Sequence, residues 1–217
     1  MLKQRILIAL AVLMAASCAF LAFWLKPQDK PRQSFAKQQS MFDGIPQKGS
    51  SLGLDSAPVR VAIYVDPQCP ACRRFEQNEL PEVVRRFVRT GKAQLQLRPV
   101  AIVGEQGQPA VEYAYAAGAQ NRMWQFFSAL LFRHQAKNSG YLTPAFLAKT
   151  AALSGLNLAG LRRDLPKAKQ QSILARRQAT KASVKSTPSF ELDGGRLIAP
   201  KSLGSGYLTS LIEGALK

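Results

Sequence analysis

Cys69 and Cys72 stand one helical turn apart in Asp66-Pro67-Gln68-Cys69-Pro70-Ala71-Cys72, directly after the apolar, β-branched run Val59-Arg60-Val61-Ala62-Ile63-Tyr64-Val65. Two thiols at that spacing can close and open a disulfide, and the thiolate is the form that attacks one. The run before them is dense in Val, Ile and Tyr and reads as a buried strand, which Pro67 ends. Pro70 suits the first helical position, where a missing N–H costs nothing, and Arg73-Arg74-Phe75 continues with helix formers. Cys69 is therefore expected at an exposed helix start, where free N–H groups and the positive end of the dipole favour a thiolate. Cys72, one turn inside, is placed to resolve whatever Cys69 captures. A strand, a turn and CxxC at a helix start form a redox arrangement rather than a loose cysteine pair. Asp66 is either an acid that takes part in thiol deprotonation, as a proton relay, or a plain strand-end residue.

The elements that must hold this pair fit within 217 residues, and 47% hydrophobic content is ample for a packed core. Of three cysteines, Cys18 lies in an N-terminal apolar run, which leaves one pair in the folded part. One pair is too few for a disulfide scaffold, so its role is chemical. A zinc site wants four ligands, and only His134 remains as a partner of suitable softness; a copper carrier would lack a supporting His or Met cluster. No metal and no cofactor is expected. His134, in Phe132-Arg133-His134-Gln135, reads as a polar residue near a helix end, and Trp124, Phe126 and Phe127 as core at helical spacing.

Residues 1–25 carry Lys3 and Arg5 and then run apolar from Ile6 to Leu25, enough to span a bilayer core of ~30 Å. A cleaved signal peptide, with Ala15-Ala16-Ser17 as its small-residue site, has no need of the continuing Ala19-Phe20-Leu21-Ala22-Phe23-Trp24-Leu25, so a transmembrane anchor is expected. Residues 26–48 hold Pro, Gln, Lys and Ser with almost no apolar periodicity and read as a flexible spacer. The folded domain is expected over 49–217.

After the CxxC, a helix should reach about Leu80, restart at Pro81 and stop at Thr90-Gly91, before a second strand from Ala93 to Val100. An almost wholly helical block, about 106–182, is broken by Gly118, Asn138-Ser139-Gly140, Gly155 and Pro166. Strand chemistry returns at Ser189-Phe190-Glu191-Leu192, turns at Asp193-Gly194-Gly195 and pairs back through Arg196-Leu197-Ile198, and Leu203 to Leu216 closes with a helix.

That order resembles an α/β thioredoxin-like fold with an inserted helical subdomain. Over residues 50–217 the chain is similar to the DsbA-like thiol-disulfide oxidoreductases, on two separated pieces: Asp66 to Cys72, and Val184-Lys185-Ser186-Thr187-Pro188-Ser189-Phe190. The resemblance implies that Pro188 is a cis-proline beside the cysteines, that Thr187 offers its backbone to the substrate strand, and that Pro70 and Ala71 border the site. Pro-Ala stands between the cysteines where the best-known member has Pro-His, and Gln68 where thioredoxin has Trp. The implied activity is disulfide exchange with client proteins, as an oxidant recycled by a membrane partner, on the extracytoplasmic side of a cell membrane. A reductase or isomerase of the same fold, or a thiol metallochaperone, is the alternative.

The charge is +17, from 30 Lys and Arg against 13 Asp and Glu, and Arg162 to Lys185 alone holds eight basic residues against Asp164. Without a nucleic-acid motif or interleaved aromatics, this reads as a solvated helix face able to hold the domain near an anionic surface; no nucleic acid is expected. Nothing marks a dimerisation segment, so a monomer is expected.

Overall fold

The computed structural model describes residues 34–195, 197–200 and 206–217. Helix α1 (Phe35–Ser40) and two short strands, β1 (Gln47–Lys48) and β2 (Ser51–Leu52), precede β3 (Val59–Val65). Helix α2 (Pro70–Asn78), α3 (Leu80–Val83) and a π-turn (Val84–Val88) lead to β4 (Ala93–Pro99). The helices α4 (Gln108–Gly118), α5 (Met123–Phe132), α6 (Pro144–Leu153) and α7 (Leu158–Lys181) follow, then β5 (Ser189–Leu192), β6 (Leu197–Ile198) and α8 (Tyr207–Ala215).

The sheet order is β1-β2-β4-β3-β5-β6. β3 pairs parallel with β4, Val61 opposite Leu95 and Ile63 opposite Leu97, and antiparallel with β5, Ile63 opposite Phe190. A parallel pair needs a crossover, and the stretch from α2 to the π-turn supplies it. Alternation along β3 divides its side chains. Val59, Val61, Ile63 and Val65 enter the main core with Phe75, Phe87, Leu95, Phe190 and Leu208. Tyr64 faces the other way, against Val100, Ala179 and Val184.

The crossover breaks where Pro81 cannot continue an N–H ladder. Glu79 marks that break, and its carboxylate accepts the backbone N–H groups of Leu208 and Thr209, capping the first turn of α8. Gly91, at φ +71°, then turns the chain into β4.

Three expectations need correction. Residues 34–48 do not form a spacer: Ser34 caps α1, and Gln38 and Phe42 are 2% and 1% exposed. Phe42 lies 6.0 Å from the Trp124 ring, so scattered apolar residues in a polar segment suffice to dock it. Pro166 does not break its helix but sits inside α7, whose Leu161, Ala168, Ser172, Ala175 and Ala179 are buried along one face on both sides of it. Packing of that continuous face offsets the ~3 kcal/mol cost of an interior proline. The closing helix begins at Tyr207, after Gly206 at φ +95°. Among the described residues no helix is long and apolar enough to cross a membrane, and the expected anchor at 1–25 lies outside the described residues, as does Cys18.

Candidate active site

Cys69 is the N-cap of α2, with extended backbone at φ −86° and ψ 114°, and Pro70 occupies the first turn. Its sulfur accepts the N–H of Cys72 at 3.3 Å. Its thiol reaches the Thr187 carbonyl at 3.1 Å, joining two pieces 118 residues apart in sequence. The Thr187–Pro188 peptide is cis. Thr187 and Pro188 are buried, Ala71 is half-buried, and Pro70 is exposed beside the dithiol.

The two thiols are unlike. A hydrogen bond from Cys72 to the Cys69 sulfur, helped by Thr187 and by backbone N–H groups and opposed by burial, lowers Cys69 to about 6. Burial pushes Cys72 well above the ordinary thiol range, and the neighbouring Cys69 adds to the rise. The expectation of an exposed Cys69 is corrected: it is 3% exposed, against 0% for Cys72, because the chain carrying Thr187 lies against it. Electrostatics, more than access, distinguishes the pair. In the reduced protein, alkylation of Cys69 by iodoacetamide should titrate with a midpoint near pH 6, with Cys72 unmodified through pH 8. Mass-spectrometric counting of each alkylated cysteine against pH checks this, and equal rates would remove the asymmetry.

Asp66 is wholly buried, and its carboxylate accepts the N–H groups of Gln68 at 2.7 Å, Ile102 at 2.7 Å and Val103 at 2.8 Å. Burial raises its pKa against the pull of those bonds. The carboxylate thus ties the end of β3 to the loop after β4, the geometry of a strand-end residue.

Gln68, His134 and Tyr141 belong to the site and were not legible as such in the sequence. Gln68 is wholly buried and accepts the Asn138 N–H at 3.4 Å through its side-chain oxygen. The Tyr141 hydroxyl donates to the Pro67 carbonyl at 3.2 Å. His134, just past α5, lies 6.1 Å from the Tyr141 ring; burial lowers its pKa, with Arg73 acting in the same sense and Gln68 and Asp66 opposing. The segment after α5 therefore closes over the approach to α2. Gln68 Nε2, Arg73 Nε, His134 Nε2 and Thr187 Oγ1 are buried there without a protein partner. The only sequence sign was Gln68 itself, at the place where thioredoxin has Trp. Trp124, Phe126 and Phe127 are core residues of α5, and the Trp124 indole donates to the Ser50 carbonyl at 2.9 Å. Among the described residues no three His, Cys, Asp or Glu side chains converge to hold a metal.

The sequence profile of the thioredoxin family matches residues 47–208. A probable disulfide bond formation protein D of Bacillus anthracis is 26% identical over 151 residues, which cover 66% of this chain and 69% of that protein. BdbD from Bacillus subtilis in its oxidised form superposes with a TM-score of 0.68 at 20% identity, covering 79% of this chain and 97% of that one. Chlamydia trachomatis DsbA superposes with a TM-score of 0.63 at 22% identity, over 77% of this chain and 89% of that one. A CxxC at the start of α2, a second loop laid against its first sulfur, helices inserted between β4 and β5, and the family match over most of the chain agree: the chain belongs to the thioredoxin family and shares its fold with the DsbA-like proteins.

Proposed function

We propose that the protein is an oxidant of client proteins, working through the Cys69–Cys72 disulfide on the extracytoplasmic side of a cell membrane. The observation that carries the direction is the Cys69 sulfur at the N-cap of α2, accepting the Cys72 N–H at 3.3 Å, a setting that favours its thiolate and lowers its pKa. A client thiolate attacks Cys69 Sγ, forming a mixed disulfide and releasing the Cys72 sulfur, which takes up a proton. A second client thiolate then attacks the client sulfur of the mixed disulfide. The client leaves as a disulfide, and Cys69 leaves as a thiolate, carrying away the electron pair. A membrane partner takes the two electrons from the dithiol and restores the disulfide.

A low pKa serves Cys69 better as a leaving group than as an attacker. Against an ordinary thiol of pKa ~8.5, a pKa of about 6 raises the thiolate fraction at pH 7 roughly thirtyfold. Nucleophilicity falls roughly tenfold over the same interval, so attack by Cys69 gains little, whereas its departure gains throughout. Thr187 presents its backbone to the client strand beside Cys69, and Pro70, Ala71 and Pro188 border that strand. The tether is the apolar run from Ile6 to Leu25, a single-pass anchor.

The redox potential tests the direction. Thioredoxin, whose attacking cysteine has a pKa near 7, lies at about −270 mV, and DsbA at about −120 mV. Lowering that pKa from about 7 to about 6 stabilises the reduced form at pH 7 by ~1 kcal/mol, roughly 20 mV. Thiolate chemistry alone thus reaches about −250 mV, and with no His between the cysteines the expected window is about −250 to −150 mV. Equilibration against glutathione measures it. A value at or below about −270 mV makes the protein a reductase and overturns the proposed direction.

A further inference from the structure

Helix α7 carries charge that the dithiol chemistry does not use. Over Leu158–Lys181 it holds seven basic residues against Asp164, a net +6 of the chain's +17. One face is packed, through Ala168, Ser172 and Ala175 among others, and every basic side chain lies on the exposed remainder. Arg162, Lys169 and Arg176 recur at seven-residue spacing and form one strip. Ile173, 44% exposed, sits beside it, four residues after Lys169. Lys167, Leu174 and Lys181 form a second strip at the same spacing, with Leu174 55% exposed between two lysines. Among the described residues the helix has one ion pair, Arg163 with Asp164 at 3.9 Å.

We infer that the exposed face of α7 docks on an anionic lipid bilayer. From Arg162 to Lys181 the helix runs for ~28 Å, a length that can lay repeated cations along a surface. Each basic side chain at an anionic surface favours binding roughly fivefold, and Ile173 and Leu174 offer the apolar contact that a headgroup and acyl boundary accepts. A nucleic acid would use the cations but has no place for two aliphatic side chains, and the helix has no aromatic residue for stacking. The helix also runs into the loop that carries Thr187, so docking would hold the dithiol near the membrane.

Lysine acylation of the full chain, read residue by residue by mass spectrometry, tests this. Vesicles of phosphatidylcholine alone are compared with vesicles of equal parts phosphatidylcholine and phosphatidylglycerol. The apolar run from Ile6 to Leu25 partitions into both, so the difference between them reads charge. Lys167, Lys169 and Lys181 should react about tenfold more slowly on the anionic vesicles, relative to Lys92, and high salt should restore their rates. Arg176→Glu with Arg177→Glu should abolish the protection, and Ile173→Ser with Leu174→Ser should weaken it. Equal rates on the two vesicle types overturn the inference. So does equal protection by soluble duplex DNA together with indifference to the Ile173 and Leu174 substitutions, which would mean a general polyanion site.

Discussion

Cys69→Ala should abolish disulfide exchange and trap no client, whereas Cys72→Ala should accumulate mixed disulfides between Cys69 and its clients. The two variants differ because the two sulfurs meet different surroundings within one turn of α2. Cys69 is held as a thiolate chiefly by Cys72, with a pKa of about 6, while burial keeps Cys72 protonated. Without Cys72 the Cys69 thiolate can still attack a client disulfide, expelling one client sulfur as a thiolate, and the mixed disulfide so formed lacks the Cys72 thiol that would return the client by the reverse step. The same substitution also deletes the strongest single influence lowering Cys69, so the Cys69 titration should move upward in Cys72→Ala. Non-reducing electrophoresis of thiol-blocked extracts shows the trapped species, and alkylation against pH shows the shift. Trapping by both variants, or by Cys69→Ala alone, would contradict the assigned order of attack.

What the sequence disclosed about this site follows the range of the interactions that build it. The strand, the CxxC and the helix start are contiguous, so β-branched density, Pro67 and Pro70 place Val59–Val65 and the start of α2 at Pro70 from local rules alone. Thr187 is different. Its carbonyl meets Cys69 across 118 residues, and no periodicity encodes that meeting; only resemblance pointed to Thr187 and Pro188. His134 could be placed near a helix end, but neither it nor Tyr141 could be placed over α2, because their position depends on how α5 and α6 pack. The spacer expectation failed over 34–48 for a related reason. A segment with few apolar residues still docks when Phe42 and Ile45 are buried in the core and the amide of Gln38 finds a buried partner. Pro166 shows the converse, a strong local rule overridden by a long packed face.

Glu76 should make the protein less stable as pH rises from about 5 to 8, and Glu76→Gln should remove that loss. Glu76 lies on α2, one turn beyond Cys72, and is 5% exposed. Its carboxyl meets the Gln38 amide of α1 at 3.2 Å and the Ser128 hydroxyl of α5. Gln38 also donates to the Ser128 hydroxyl at 3.0 Å, so the three side chains form one buried cluster. Neither partner carries a charge, and burial raises Glu76 to about 7 against these two hydrogen bonds. The unfolded chain releases this proton near pH 4.5, while the folded protein keeps it until about pH 7. Stability from the raised pKa is therefore fully present below the unfolded value and is lost as pH climbs through the folded one, by about 3 kcal/mol. Cys69 acts in the opposite sense in the reduced protein. Its folded pKa lies below the unfolded one, so its contribution grows from about pH 6 toward 9 and partly masks Glu76. Urea unfolding of the oxidised protein removes the Cys69 contribution, because a disulfide sulfur does not titrate. Under those conditions wild type should lose stability between pH 5 and pH 8, whereas Glu76→Gln, which keeps the shape and can still bond Gln38 and Ser128, should lack that part of the slope. The variant should then be the more stable protein at pH 8, and equal pH slopes for the two would place the Glu76 proton elsewhere.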